Sequence, residues 1–390
     1  MNQTSSRAAK PVMVVCGALA AVAFGCWVYQ QVMGLSITGM SNLVSWGTYI
    51  CMFMFFVGLS AGGLIVASSA SVFNIKPFKA IAKPAILLST VCICAAGAFI
   101  LLDLGGIVRI WRILTGPNPS SPLVWDMTVI TIYLVMNLVY IYLYTRKNPD
   151  HRKQKIASFI ALPVAILVHS VTAWIFGLQI GREWYSSIMA PLFVASALDS
   201  GLALLLIVMA LLEKFDVFKV DGDLIADLAG LLCVFIAVDG YMVGCEILTM
   251  AYPGGSYGDY LAMLATGPTA PFFWFEIIAG VIIPFVMLAP RANRRRTGLM
   301  IVACALNVLG VFCKRVWLLF TGFQVPNVQG AEGVTVGNVN LVGDTAYAQF
   351  GSYMPTLPEI MIVVGVIAAC VLAYMLLARR VCDAGAPAEG

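Results

Sequence analysis

Apolar residues run along this chain in long blocks, with short polar breaks between them. A helix that crosses the ~30 Å hydrocarbon core of a bilayer needs about 20 such residues. Blocks of that length fall at roughly 12–33, 42–72, 84–104, 123–145, 156–180, 188–212, 224–250, 270–290, 298–320 and 357–379. The pattern predicts an all-α integral membrane protein with ten spanning helices. The second block is long enough to tilt or to extend past the bilayer. The first follows Arg7 and Lys10 and continues to about Met33, beyond the ~7–15 residues of a signal-peptide core, so a retained first helix is expected.

The basic residues test this count, because loops on the cytoplasmic side carry an excess of Lys and Arg. Of the 23 basic residues, 18 fall in the N-terminus, the even-numbered loops and the C-terminus. The other five are Arg109, Arg112, Arg182, Lys314 and Arg315. One missed span would scramble that partition. Both termini are therefore expected in the cytoplasm, in a prokaryotic cytoplasmic (inner) membrane. The inner loops are short. The outer ones at 105–122, 251–269 and 321–356 are long and rich in Gly, Pro and Asn, as a docking face would be.

A repeat runs through the helices. "FVGLSAGG" in the second resembles "FVASALDSG" in the sixth, and "LLDLGG" in the third is echoed by "AVDGYMVGCE" in the seventh. Helices 2–5 (42–180) and 6–9 (188–320) are then two four-helix bundles related by an axis normal to the membrane, with helices 1 and 10 peripheral.

Composition sharpens the class. The chain is 61% hydrophobic and 11% charged over 390 residues, where a soluble domain would carry roughly a quarter charged. The surplus of positive charge lies in membrane-flanking loops, so membrane lipids and not nucleic acid are its expected neighbours. The 11 cysteines are mostly isolated in apolar segments, and the pair Cys92 and Cys94 has neither a zinc nor a ferredoxin spacing. Only two histidines exist, and His151 sits in a basic loop. A two-haem membrane cytochrome needs more axial ligands than that, so no haem and no iron–sulfur cluster are expected in this chain.

Polar groups inside the spans are costly and usually paired, conductive or ligand-binding. Counting ~1.5 Å per residue puts Asp103, Asp126, Glu246, Glu276, Lys314, Arg315 and Glu359 toward the outer face. Asp239, His169 and Asp199 lie deeper, and Asp227 lies closest to the cytoplasm. Asp126 and Glu359 stand at helix mouths, where caps or surface charges are expected. For Asp103, Glu246 and Arg315, a buried ion-pair network joining the two bundles is one reading. The other is a site for a two-electron, two-proton carrier such as a quinone, which needs hydrogen-bond donors at its carbonyls and acids to exchange protons. On that reading Asp103, Glu246, Arg109 and Arg112 supply polar contacts, and Trp46, Tyr49 and Trp111 supply walls. His169, Asp199, Asp239, Asp227, Glu276 and Arg315 form a proton relay.

Three stretches carry a resemblance: "WGTYICMFMFFVGLSAGG" at 46–63, "LLDLGG" at 101–106 and "HSVTAWIFGLQIGREWYSSIMAPLFVASALDSG" at 169–201. They resemble the NrfD/polysulfide-reductase membrane-subunit family, in its ten-helix branch found in sulfate-reducer transmembrane complexes and alternative complex III. The resemblance implies a cofactor-free subunit that binds a quinone, with menaquinone the expected form. It implies an iron–sulfur (ferredoxin-like) subunit docked on the outer face, together with a molybdopterin or multihaem cytochrome subunit. Asp103, His169 and the segment around Trp46 match family motif positions and carry over to the quinone and proton region. Glu246 and Arg315 come from depth and charge alone.

The competing reading is a secondary transporter or ion-translocating permease whose midplane His and Asp bind substrate. Broken helices at corresponding places in the two halves would favour it, but Pro163 and Pro284 do not correspond.

Overall fold

The computed structural model describes residues 3–41, 44–73, 75–146, 150–182, 184–324 and 353–382. Its described residues form helices and turns and no strand. Ten helices are long and apolar enough to cross a membrane. They are α1 (Gln3–Met33), α2 (Thr48–Val72), α3 (Ala82–Asp103), α4 (Pro122–Thr145) and α5 (His151–Gly177). The second set is α6 (Met189–Lys214), α7 (Gly222–Ala251), α8 (Ala270–Leu288), α9 (Thr297–Gln324) and α10 (Leu357–Cys382). The chain is a multi-pass membrane protein.

The helix ends depart from the hydropathy blocks for local reasons. The second block begins near residue 42, yet α2 starts at Thr48 because Gly47 is extended (φ −108°, ψ −155°). That helix is therefore shorter than the block. In contrast, α5 begins five residues before its apolar block, at His151. Asp150 caps it by accepting from the N–H groups of Arg152 and Lys153, which are otherwise orphaned at a helix start. The Lys153 N–H holds the exposed Asp150 carboxyl below the usual carboxylate range. In α8, residues Glu276–Ile282 form a π-helical stretch between two α-helical turns, Ala270–Phe275 and Ile283–Leu288. Hydropathy carries no signal for that change of winding.

The outer loops are partly structured. A short helix, Gly255–Thr266, fills most of 251–269, and single turns at Ile107–Arg109 and Arg112–Thr115 follow α3. The long outer segment expected at 321–356 begins with the last turn of α9 and ends with 353–356; residues 325–352 lie outside the described residues.

In space, α2 packs on α3, α5, α6 and α9, while α6 also packs on α5, α7 and α9. Helix α4 lies between α3 and α5, α8 lies against α7 and α9, and α1 packs on α10, which in turn contacts α3. Several of these contacts require glycine. A Cβ on Gly62 of α2 would stand 2.5 Å from the Gly201 Cα of α6, and one on Gly280 of α8 would stand 2.6 Å from the Gly310 Cα of α9. Such close approach gains van der Waals contact where hydrocarbon offers no hydrophobic drive between helices. Side chains such as Val14, Phe24 and Val32 of α1 remain exposed, as a lipid-facing helix requires.

Candidate functional site

Helices that alternate in direction bring the end of α1, the start of α2, the end of α3 and the start of α10 to one membrane face. Asp103 closes α3 there. Its Oδ1 is buried and has no hydrogen-bond partner among the described residues. Next to it, the Gln30 side-chain amide donates to the Leu102 carbonyl at 2.8 Å, and the buried Tyr49 hydroxyl donates to Gln30 Oε1 at 2.7 Å. Glu359 is the charged neighbour of Asp103. Leu35 covers the bend behind it, because a Cβ on Gly105 would stand 2.9 Å from Leu35 Cδ1.

Glu359 caps α10 as expected, but it is no surface charge. It accepts the Thr356 N–H at 2.8 Å, which is half of a Thr-x-x-Glu capping box, and also the Gly39 N–H at 2.8 Å and the Tyr353 hydroxyl at 2.7 Å. The Thr48 N–H in turn donates to the Tyr353 hydroxyl at 2.9 Å. One fully buried carboxylate thus ties α10 to the segment between α1 and α2.

A second polar group lies between α7, α8 and α9. Lys314 is buried, with Nζ 3.4 Å from Asp239 Oδ1 and 3.3 Å from Glu276 Oε1. The Trp317 indole N–H donates to Glu276 Oε2 at 2.5 Å. Glu246 neighbours Lys314 and Glu276. It also lines a cavity of about 40 Å³ with Trp184, Tyr257, Tyr260 and Trp317. That volume holds a water or two, not an aromatic ring. Glu246 therefore falls with the Lys314 group and not with Asp103. Lys314 is ten residues from the end of α9, about 15 Å at 1.5 Å per residue, so it sits deeper than the outer-face position expected from sequence.

His169, Asp199 and Arg315 adjoin the Lys314 group: Asp199 neighbours Asp239 and Lys314, Arg315 neighbours Asp239 and Glu276, and His169 neighbours Arg315. Asp199 is wholly buried and accepts from Asn307 Nδ2 at 3.1 Å, and the same amide donates to the Gly280 carbonyl at 3.1 Å. Asn307 thereby links the acid of α6 to the π-helical stretch of α8, the kind of irregularity that clusters at functional sites. Arg315 donates to Ser196 Oγ at 2.7 Å and lies 3.8 Å over the Phe193 ring, while its Nε and one terminal nitrogen have no partner among the described residues. The buried His169 meets no side chain at hydrogen-bond distance among the described residues; the Ala165 backbone one turn back is its polar neighbour and Arg315 its charged one. His169 and Asp199 are therefore not joined by a hydrogen bond.

The other expected residues are dispersed. Trp46 belongs to an aromatic cluster, stacked on Trp184 at 6.4 Å with Phe176 and Phe323 edge-on to it. Arg109, Trp111 and Arg112 are exposed on the turns after α3, with the Arg112 guanidinium 5.8 Å from the Trp111 ring. Asp227 is exposed near the start of α7. Asp126 is not a cap: it is buried in α4 and accepts the Thr172 hydroxyl at 2.6 Å.

Several groups carried too little signal in the sequence to be assigned to a site. Gln30, Asn307, Trp317 and Ser196 are neutral, so charge could not flag them, and Lys314 was read only as an outer charge. Ser60, Ser89, Tyr133 and Asn137 form a buried network across α2, α3 and α4, with links of 2.8–3.1 Å. The signal for it was the helical spacing of Tyr133, Asn137, Tyr140 and Tyr144 on one face of α4.

For metals the donors do not converge. Among the described residues, no group of three or more His, Cys, Asp or Glu is placed to hold a metal ion. His151 and His169 share one helix and lie about 27 Å apart along it, so they cannot ligate one haem from two faces.

Against known proteins, residues 36–327 match the polysulphide reductase NrfD family. The chain is 36% identical to a putative dimethyl sulfoxide reductase membrane subunit of Halobacterium salinarum, over 96% of this chain and 93% of the relative. It is 28% identical to an Hdr-like menaquinol oxidoreductase integral membrane subunit of Archaeoglobus fulgidus, over 94% and 91%. It is also 28% identical to a selenate reductase subunit of Mesobacillus selenatarsenatis, over 77% and 79%.

Proposed function

The chain belongs to the polysulphide reductase NrfD family, and from that premise we propose that it is the quinone-interacting membrane subunit of a respiratory oxidoreductase. In this reading it exchanges electrons between a membrane quinone, menaquinone by preference, and an iron–sulfur subunit docked on its outer face. A molybdopterin or multihaem cytochrome subunit completes the complex in the cytoplasmic membrane, with both termini of this chain inside. The names of the relatives favour this over a permease, since they describe reductase and menaquinol oxidoreductase subunits.

The observation that carries the proposal is Asp103. A carboxylate oxygen buried at a helix end with no partner among the described residues is expensive in hydrocarbon and marks a ligand or proton site. Gln30 and Tyr49 stand beside it, joined to each other, and orient the wall against which a ring carbonyl would lie. A quinone supplies two-electron, two-proton chemistry at its carbonyls. Asp103 holds or releases the proton there, and Leu35 over Gly105 limits water on one side. Arg109, Trp111 and Arg112 are assigned to the mouth of the site, and Glu246 to the Lys314 group. Proton transfer toward the inner face runs in this proposal through His169, Arg315, Glu276, Asp239 and Asp199, with Asp227 at the exit.

The test uses the complex purified with its partner subunits. Asp103→Asn should assemble normally while quinone-linked turnover falls by roughly 10²-fold, the scale of losing one acid–base group. Asp103→Glu should restore part of the rate. Wild-type turnover of a quinol analogue in Asp103→Asn would place the site elsewhere.

A further inference from the structure

On the lipid-facing side, away from both polar groups, α7 and α8 leave an open cleft of about 330 Å³. Gly230, Val234, Val238 and Tyr241 line it from α7, Phe285 from α8, and Arg294 stands at its basic end. The α7 positions recur at three- or four-residue intervals, so the cleft follows one face of that helix. From Gly230 to Tyr241 it runs about 16 Å at 1.5 Å per residue, which equals half of a ~30 Å hydrocarbon core. One end is cationic and the rest is apolar over the depth of a single leaflet. We propose that this cleft is a binding site for an anionic phospholipid of the basic-side leaflet, with one acyl chain along α7 and the phosphate on Arg294.

The arginine is fixed for that role. Its Nε donates to the Leu288 carbonyl at 2.6 Å and one terminal nitrogen to the Ala289 carbonyl at 2.9 Å, so it closes the end of α8. Its other terminal nitrogen lies where a Cβ on Gly230 would be only 2.6 Å away, so glycine opens the cleft to it. No acid pairs with Arg294 among the described residues, because Asp223 is taken by Arg295 at 2.6 Å. Asp227 lies one turn nearer the loop. With the α7 cap Asp221 there are three acids at this end, against Arg291, Arg294, Arg295 and Arg296, so the potential there is positive. Val234 and Val238 are 56% and 43% exposed, which leaves the apolar wall open to a chain from the bilayer.

The test is native mass spectrometry of the intact complex, loaded with phosphatidylglycerol or with phosphatidylcholine of identical chains. Wild type should retain phosphatidylglycerol preferentially. Arg294→Gln should reduce that preference about five-fold, the scale of one basic residue acting at a membrane surface. Because Arg294 also closes α8, Val238→Phe provides a second variant, which fills the cleft from a lipid-facing position and should abolish retention with the arginine intact. Wild-type retention in both variants would overturn the proposal. So would displacement of the lipid by inorganic phosphate with no dependence on chain length, or recovery of a quinone from wild type where a phospholipid is expected.

Discussion

Lys314 is the residue whose surroundings leave it least freedom. Its ammonium lies within hydrogen-bonding reach of both Asp239 and Glu276 inside the protein, and two carboxylates buried this close together need a cation between them. Lys314→Met removes the cation and strands both acids, at a cost of roughly 3–5 kcal/mol, so thermal unfolding in detergent should begin well below wild type. Adding Asp239→Asn to that variant should recover part of the loss; an unfolding midpoint unchanged by Lys314→Met would mean that the pair contributes nothing. The sequence exposed these charges because every ionisable group within a span is conspicuous. It did not expose their pairing. His169 and Asp199 sit at similar depth and invite a pair, yet the structure turns Asp199 toward Asn307 and leaves His169 beside Arg315. Depth follows from counting along each helix, whereas partners depend on how helices are rotated about their axes, and that is set by packing.

At the scale of the helices, hydropathy located all ten, because the length of a span is dictated by the bilayer. It misplaced the ends of α2 and α5, which are governed by an extended glycine and an aspartate cap. It was blind to the π-helical stretch of α8, where Asn307 reaches across to the Gly280 carbonyl. At Gly62 the second helix meets Gly201 of the sixth backbone to backbone. Gly62→Leu should therefore force α2 from α6 and destabilise the protein by about 1–3 kcal/mol, the usual cost of overpacking. Gly97, with open space around its missing Cβ inside α3, provides the control: Gly97→Ala should not destabilise and should gain up to about 1 kcal/mol from the better helix former. A Gly62→Leu protein as resistant to heat and detergent as wild type would contradict the close contact.

For the molecule as a whole, the acids and bases expected at the site fall mainly into an outer cluster at the meeting of α1, α2, α3 and α10, and a deeper one among α5 to α9, with the neutral Ser60–Tyr133–Asn137 network apart from both. The resemblance of the 101–106 and 169–201 stretches pointed to one residue of each, Asp103 and His169, but charge and depth alone grouped Glu246, which belongs to the deeper cluster, with Asp103. In the proposed function the quinone belongs to the outer cluster and protons to the deeper one. The most direct test is photolabelling of the native complex with a photoreactive quinone analogue, followed by peptide mapping. Label is expected in segments 30–49 and 99–106, competed away by excess quinone and lost in Asp103→Asn. Competable label confined to the helices around Glu246 and Trp184, with none near Asp103, would contradict the assignment of the quinone to the outer cluster.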